Sequence, residues 1–168
     1  MNISTHSHRL AFPQRIRADW SHLPAAFVEN DALLGADMLY VPRVGLWHFG
    51  VMVSSVHWLW ARTVGRMEDG WLVYEPGVIY NNFVWPEADA SSERIETAAR
   101  GILSARAAHP GMPLGTLCTP SSTPPDVQAA HAENDAAVLA AYGLPPDATE
   151  TAVLSLLFAY NSALSELD

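Results

Sequence analysis

The chain has 168 residues, 49% of them hydrophobic and 16% charged. That is enough apolar material for a packed core and excludes a disordered acidic or basic tail. It carries no lysine, and nine arginines stand against eighteen acids for a net charge of −9, which argues against tight binding of nucleic acid by charge alone.

The charge is uneven. Residues 1–86 hold six arginines (9, 15, 17, 43, 62, 66) against seven acids, a net of −1. Residues 87–168 hold three arginines against eleven acids, a net of −8. Any contact with a polyanion therefore belongs to the first part. All six tryptophans also precede Pro86, and alanine-rich helical patterns follow it. The composition predicts two parts: a mixed α/β part over residues 1–88 and a helical tail over residues 89–168 packed on it.

In chain order, Met1 to Arg9 lacks the apolar stretch of a signal peptide. His6 and His8 form a His-x-His pair with no third ligand in reach, so no metal is expected there. Leu23 to Val28 reads as a short strand, and Asp37 to Val41 as a second, stopped by Pro42. Leu46 to Val51 reads as a strand running into a helix. Ser54 or Ser55 is placed to cap a helix over Val56 to Met67. Leu46 to Ala61 is the longest apolar run, shorter than the roughly 18 residues of a membrane span. Glu68-Asp69-Gly70 is a turn signal. Trp71 to Tyr74 and Val78 to Tyr80 then read as a strand pair around Pro76-Gly77, and Asn81 to Pro86 as an irregular exit.

Beyond the exit, Ile95, Ala98, Ala99, Ile102 and Leu103 recur at helical spacing within Glu93 to Ala107, with Glu96 and Arg100 paired at i,i+4. Leu114 to Cys118 is one turn. Thr123-Pro124-Pro125-Asp126 opens a helix along Val127, Ala130, Asn134, Val138 and Ala141, closed by Gly143 and Pro145-Pro146. Thr149 caps a last helix with the stripe Val153, Leu156, Leu157, Tyr160 and Leu164. Helices this short need tertiary partners, which predicts a small bundle. The fold class expected is α+β: a small mixed sheet with a central helix, followed by a C-terminal helical bundle.

A catalytic centre is not visible. No Gly-x-Gly loop follows a strand, so no nucleotide or S-adenosylmethionine cradle is present. His48 and His57 read as satisfied, partly buried histidines, and Cys118 as an inert thiol rather than half of a nucleophile pair. Asn81-Asn82-Phe83 lacks the adjacent prolines with which an Asn-Pro-Pro-aromatic loop presents its carbonyl to a flipped adenine. No catalytic or metal residue is assigned.

Several motifs in order carry a resemblance. They are Leu46-Trp47-His48-Phe49-Gly50-Val51, Ser54-Ser55, His57, Trp60-Ala61-Arg62 and Gly65-Arg66, then Ile79-Tyr80-Asn81-Asn82-Phe83-Val84-Trp85-Pro86-Glu87. Pro124-Pro125-Asp126, Ala130-His131, Asn134-Asp135 and Tyr142-Gly143 follow. From about residue 10 to 165 the chain resembles the target-recognition domain and helical tail that end the type IIL (MmeI-like) restriction-modification enzymes, which are adenine-specific DNA methyltransferases. It departs from them at Val84, where the family has proline, and in the loop from Glu68 to Glu75.

The resemblance implies a bacterial, cytoplasmic, non-catalytic DNA-recognition portion. Its partners would be double-stranded DNA and a methyltransferase catalytic domain, in cis or trans, and S-adenosylmethionine would belong to that domain. Residues 66–76 are expected in the major groove. Arg66 would donate to guanine, Glu68, Asp69 and Glu75 would accept from cytosine amino groups, and Trp71 belongs to the same base-reading set. Arg15, Arg17, Arg43 and Arg62 are the candidates for phosphate contact. Asn81, Asn82, Phe83, Trp85 and Pro86 form a structural motif, with the asparagines holding the exit loop by side-chain to backbone bonds. Trp58 and Trp60 are assigned to the core. The alternative is a truncated stand-alone interaction protein that binds a methyltransferase domain or itself without DNA affinity.

Overall fold

A computed structural model describes residues 8–88 and 91–165, with side chains to residue 163. His6 of the His-x-His pair and the Leu164 side chain fall outside the described residues. The first part opens with strands absent from the expected set. β1 (His8–Pro13) and β2 (Arg15–Arg17) are one stretch of chain that serves two sheets. β1 is the central strand of an antiparallel sheet, between β3 (Ala26–Glu29) and β4 (Met38–Pro42). The switch occurs at Gln14, whose N–H donates to the Asp37 carbonyl at 2.8 Å and whose carbonyl accepts from the Tyr74 N–H at 2.8 Å. The preceding Pro13 has no N–H to extend the ladder, which suits the end of a strand. β1 escapes a period-two reading because Leu10, Ala11 and Phe12 are all buried, one after another.

β2 joins the second antiparallel sheet, of order β2-β6-β5, built with β5 (Arg66–Glu68) and β6 (Trp71–Val73). Two helices connect the sheets. Leu46 to Met52 is helical throughout (α1), and the strand expected at its start is absent. All of Phe49 to Met52 is buried, a continuous run in which helix and strand cannot be separated by periodicity. α2 (Ser55–Val64) is capped by Ser54, whose Oγ accepts from the His57 N–H at 3.3 Å. It stops three residues short of Met67, because Gly65 turns extended. A Cβ at Gly65 would fall 2.5 Å from the Ala61 carbonyl and 2.6 Å from Leu72, so β6 is packed against that position.

The hairpin therefore lies one element earlier than expected. β5 and β6 pair with Glu68 opposite Trp71, joined by Asp69 (φ 49°) and Gly70 (φ 82°). Two positive φ values in a two-residue loop match the right-handed twist of the flanking strands, and Asp-Gly tolerates them. Val78 to Tyr80, expected as a strand, is a coil of turns: the Val78 and Ile79 N–H groups both donate to the Glu75 carbonyl, at 3.0 and 2.8 Å. Pro76-Gly77 starts a wind here rather than a hairpin.

The C-terminal helices are α3 (Ser92–Ala107), α4 (Leu114–Cys118), α5 (Pro125–Ala141) and α6 (Glu150–Ser165). α3 buries Ile95, Ala98, Ala99 and Ile102, the expected stripe apart from Leu103, which is partly buried. Thr149 caps α6, accepting the Ala152 N–H at 3.2 Å. Thr123 does not cap α5: its hydroxyl donates to Leu117 and Thr119 carbonyls, tying α4 down, and Pro124 holds the cap position. Tyr160, assigned to the α6 stripe, is exposed, while Val153 and Leu157 are buried.

The two parts meet at Gly50. A Cβ there would fall 2.7 Å from Ile95 and 2.9 Å from Asn134, so α1, α3 and α5 converge on a bare backbone. The buried Asn134 amide donates to the Gly50 carbonyl at 2.8 Å, which explains a polar residue within an apolar stripe. Asp135, beside it, accepts the Ser55 N–H at 2.7 Å and so caps α2 from the other part. Burial raises its carboxyl to about 6. Among the described residues no helix is long and apolar enough to cross a membrane, and no group of three or more His, Cys, Asp or Glu could hold a metal.

Candidate nucleic-acid interface

The β2-β6-β5 sheet sorts its side chains by register. Ile16, Leu72 and Met67 form one cross-strand row, and Ile16 and Leu72 are fully buried. The neighbouring rows are Arg17, Trp71 and Glu68 on one side, and Arg15, Val73 and Arg66 on the other. By the alternation of a strand these rows share the opposite face. Three arginines, Glu68 and Trp71 thus stand together on one surface, with the Asp69-Gly70 turn at its tip. Four of the five residues assigned to base readout, Arg66, Glu68, Asp69 and Trp71, lie in this hairpin, and Glu75 lies just beyond it. Arg15 and Arg17 join them through β2.

The face is cross-linked by its own charges. Glu68 bridges two strands, accepting from Arg15 Nη1 at 2.9 Å and also from Arg66. Arg66 reaches Glu75 through Nη2 at 3.2 Å. Arg17 closes a two-pronged bond on Asp19, with Nε 2.9 Å from Oδ1 and Nη2 2.7 Å from Oδ2. That bond holds the Asp19 carboxyl below its ordinary range and raises the Arg17 guanidinium. Arg17 also lies 5.8 Å from the Trp71 ring. Arg62 is on α2, 5.9 Å from the Trp58 ring and 3.7 Å from Glu150 of α6. Arg43 stands apart, exposed in the turn that leaves β4, with φ 58°. Asp19 and Glu150 were not singled out in the sequence. The former is legible only once β2 and its following turn are known, and the latter only from the tertiary fold.

The exit motif does different work. The Asn82 amide donates to the Gly77 and Val78 carbonyls at 2.9 and 3.0 Å, as expected for a loop staple. Asn81 contributes its backbone N–H, to the Pro76 carbonyl at 3.0 Å. Asn161 of α6 donates to the Asn82 carbonyl at 2.8 Å. Phe83 is buried edge-on to His57 at 4.9 Å and to Trp85 at 5.3 Å. Pro86 is buried, and Trp85 packs 5.8 Å from Trp47. Trp58 and Trp60 are core residues, their indole N–H groups donating to the Trp20 and Ile79 carbonyls at 2.8 and 3.0 Å.

His57 and the cysteine are also accounted for, while His48 is half-buried against the Trp47 and Trp85 rings. The fully buried His57 has Nδ1 2.9 Å from the Met52 carbonyl, which can only accept, so Nδ1 carries the proton. Nε2 then accepts from the Tyr74 hydroxyl at 3.0 Å. Burial lowers His57 to about 4. Cys118 lies 3.3 Å from His22 Nε2, but burial pushes the thiol up to about 12, far from a thiolate nucleophile.

Residues 1–87 match the family described as "MmeI, target recognition domain", and residues 87–167 match "MmeI, C-terminal domain". The chain belongs to the MmeI family. A curated relative, DNA methyltransferase A of Bacillus subtilis (strain 168), is 26% identical over 140 residues. That alignment takes in 82% of this chain and 16% of the relative. A solved structure of the type IIL restriction-modification enzyme MmeI in complex with DNA superposes with a TM-score of 0.90 at 28% identity, over 95% of this chain and 22% of that one. The chain thus spans less than a quarter of the length of the family members it matches.

Proposed function

We propose that this chain is the non-catalytic, sequence-reading portion of a bacterial, cytoplasmic restriction-modification enzyme that methylates adenine N6 in double-stranded DNA. The observation that carries this reading is the outward face of the β2-β6-β5 sheet, where Arg15, Arg17, Arg66, Glu68 and Trp71 share one surface. A β-ribbon fits the major groove, and its tip here is a tight Asp-Gly turn that adds little bulk. Arg66 donates to guanine O6 and N7, Glu68, Asp69 and Glu75 accept from cytosine N4, and Arg15, Arg17, Arg43 and Arg62 take phosphates. Residues 1–88 do the reading, and residues 89–168, with a net charge of −7, brace them.

The partner is a methyltransferase domain, in cis or trans, which supplies S-adenosylmethionine and its chemistry. No Gly-x-Gly loop after a strand offers this chain a cradle for that cofactor, and its asparagine-aromatic segment is stapled at the surface by the Asn82 amide and anchored in the core by Phe83. The DNA-bound MmeI relative supports the reading. The test is a reconstituted enzyme carrying Arg66→Ala with Glu68→Lys. The methylated sequence changes if the hairpin reads bases, and an unchanged sequence sinks the assignment.

A further inference from the structure

Four of the five arginines proposed to contact DNA share one property: each is already held by a carboxylate of this chain. Arg15 is on Glu68, Arg66 on Glu68 and Glu75, Arg17 on Asp19, and Arg62 on Glu150. An ionised carboxylate and a phosphate oxygen compete for the same guanidinium N–H groups. DNA must therefore displace or share these contacts before it gains the arginines.

The pairs differ in how hard that is. Arg62 and Glu150 meet at 3.7 Å with Glu150 three-quarters exposed, a weak contact between distant segments. Glu68 sits between two arginines and belongs to the proposed base-reading set. Asp19 is different. It lies two residues from Arg17, in the turn leaving β2, and occupies both prongs of the guanidinium at 2.7 and 2.9 Å. Local pairing costs little chain entropy, and a two-pronged geometry is the strong form of the contact. The Trp71 ring lies 5.8 Å from the same Arg17 guanidinium.

We propose that Asp19 is an affinity-setting residue of the DNA face, a built-in counter-ion that keeps Arg17 occupied until a phosphate replaces it. This rests on the DNA-recognition reading above. The consequence is that non-specific duplex, which offers only phosphates, is held weakly, and binding depends more on base contacts made alongside. A chain with a net charge of −9 thereby keeps a cationic face without adhering to all DNA.

The experiment is a double-mutant cycle on the full chain, with a mixed-sequence DNA duplex of about 20 base pairs at low salt as the probe. Asp19→Asn keeps the size and removes the charge, and is expected to tighten binding about fivefold, the upper range for an exposed pair. Arg17→Ala weakens it. In the Arg17→Ala background, Asp19→Asn changes affinity less than about twofold, because its effect runs through Arg17. Circular dichroism of each variant confirms that the fold is kept.

Equal tightening by Asp19→Asn with or without Arg17 overturns the proposal, since it reports only the loss of a repulsive charge. Weaker binding in Asp19→Asn also overturns it, making Asp19 a residue that positions Arg17. If Arg17→Ala weakens binding and Asp19→Asn does nothing, the counter-ion role falls while the DNA-recognition reading stands. If no variant binds duplex at low salt, Asp19→Asn included, both fall.

Discussion

The hairpin face and the exit motif lie a few residues apart and are opposites. The hairpin from Arg66 to Val73 is charged, half exposed and cross-linked by ion pairs that salt and solvent weaken. The segment from Ile79 to Pro86 is aromatic, buried at Ile79, Phe83 and Pro86, and hydrogen-bonded to Trp60 of α2, Tyr142 just after α5 and Asn161 of α6. The exit segment is held by the interior of the fold, whereas the hairpin presents its charges at the surface.

That contrast can be broken from either side. Phe83→Ala removes a buried ring against His57 and Trp85, and should cost about 3–5 kcal/mol of stability. If the variant still folds at low temperature, the DNA sequence recognised should be unchanged. A thermal melt and a methylation-site assay on the reconstituted enzyme check the two halves. Gly50→Val should come close to it, because Ile95 and Asn134 leave no room for a side chain. Failure to recover folded protein is the expected result, and a normal melting temperature would refute the close approach.

Acid should act on the buried side before the exposed one. His57 is lowered to about 4 by burial, and His131 to about 3 by burial and then by the Arg106 charge. His22 is pushed well below its ordinary value by burial, then by His131 stacked 3.5 Å away and by Arg106. Groups kept neutral in the fold bind protons more readily when unfolded. Their contribution is complete above the unfolded value near 6.5 and is lost as pH falls from there toward 4 and 3. Asp135, raised to about 6, has the opposite sign: it favours the fold most below about 3.8 and loses that as pH rises through 6. Three histidines outweigh one carboxyl, so the melting temperature should drop between pH 6.5 and 4. His57→Gln should flatten part of that drop.

The smallest stability effect belongs to the exposed side. Glu68→Ala opens two surface ion pairs and should cost no more than about 1 kcal/mol. It should nonetheless shift DNA selectivity at one base pair, by about 1–3 kcal/mol against its present preference. A large loss of stability with no change of sequence would invert the comparison.

Most helices were legible because each buries one stripe. Ile95, Ala98, Ala99 and Ile102 announce α3, and Thr149 the start of α6. The strands were less so. Leu10 to Phe12 are buried on both faces and show no alternation, and Arg15 to Arg17 is too short to carry a pattern. The hairpin was misplaced because Asp69-Gly70 and Pro76-Gly77 are both turn signals, and only packing of Leu72 against Gly65 decides between them. The arginines of the site could be named from composition. That four of them are held by acids of the same chain could not, since Arg15 and Glu68 are 53 residues apart.

The joint at Gly50 bears on how such proteins could be recombined. Asn134 and Asp135, adjacent on α5, hold the Gly50 carbonyl and the Ser55 N–H of two successive helices. A chimaera cut near residue 88, with the front of one homologue and the back of another, would separate this matched set and strand polar groups in an apolar seam. Exchange of the short Arg66–Val73 ribbon leaves the seam untouched. Under the proposed reading, a new recognition specificity is reached more safely by recoding the six ribbon positions Arg66–Trp71, with the buried Leu72 and Val73 kept, than by swapping domains.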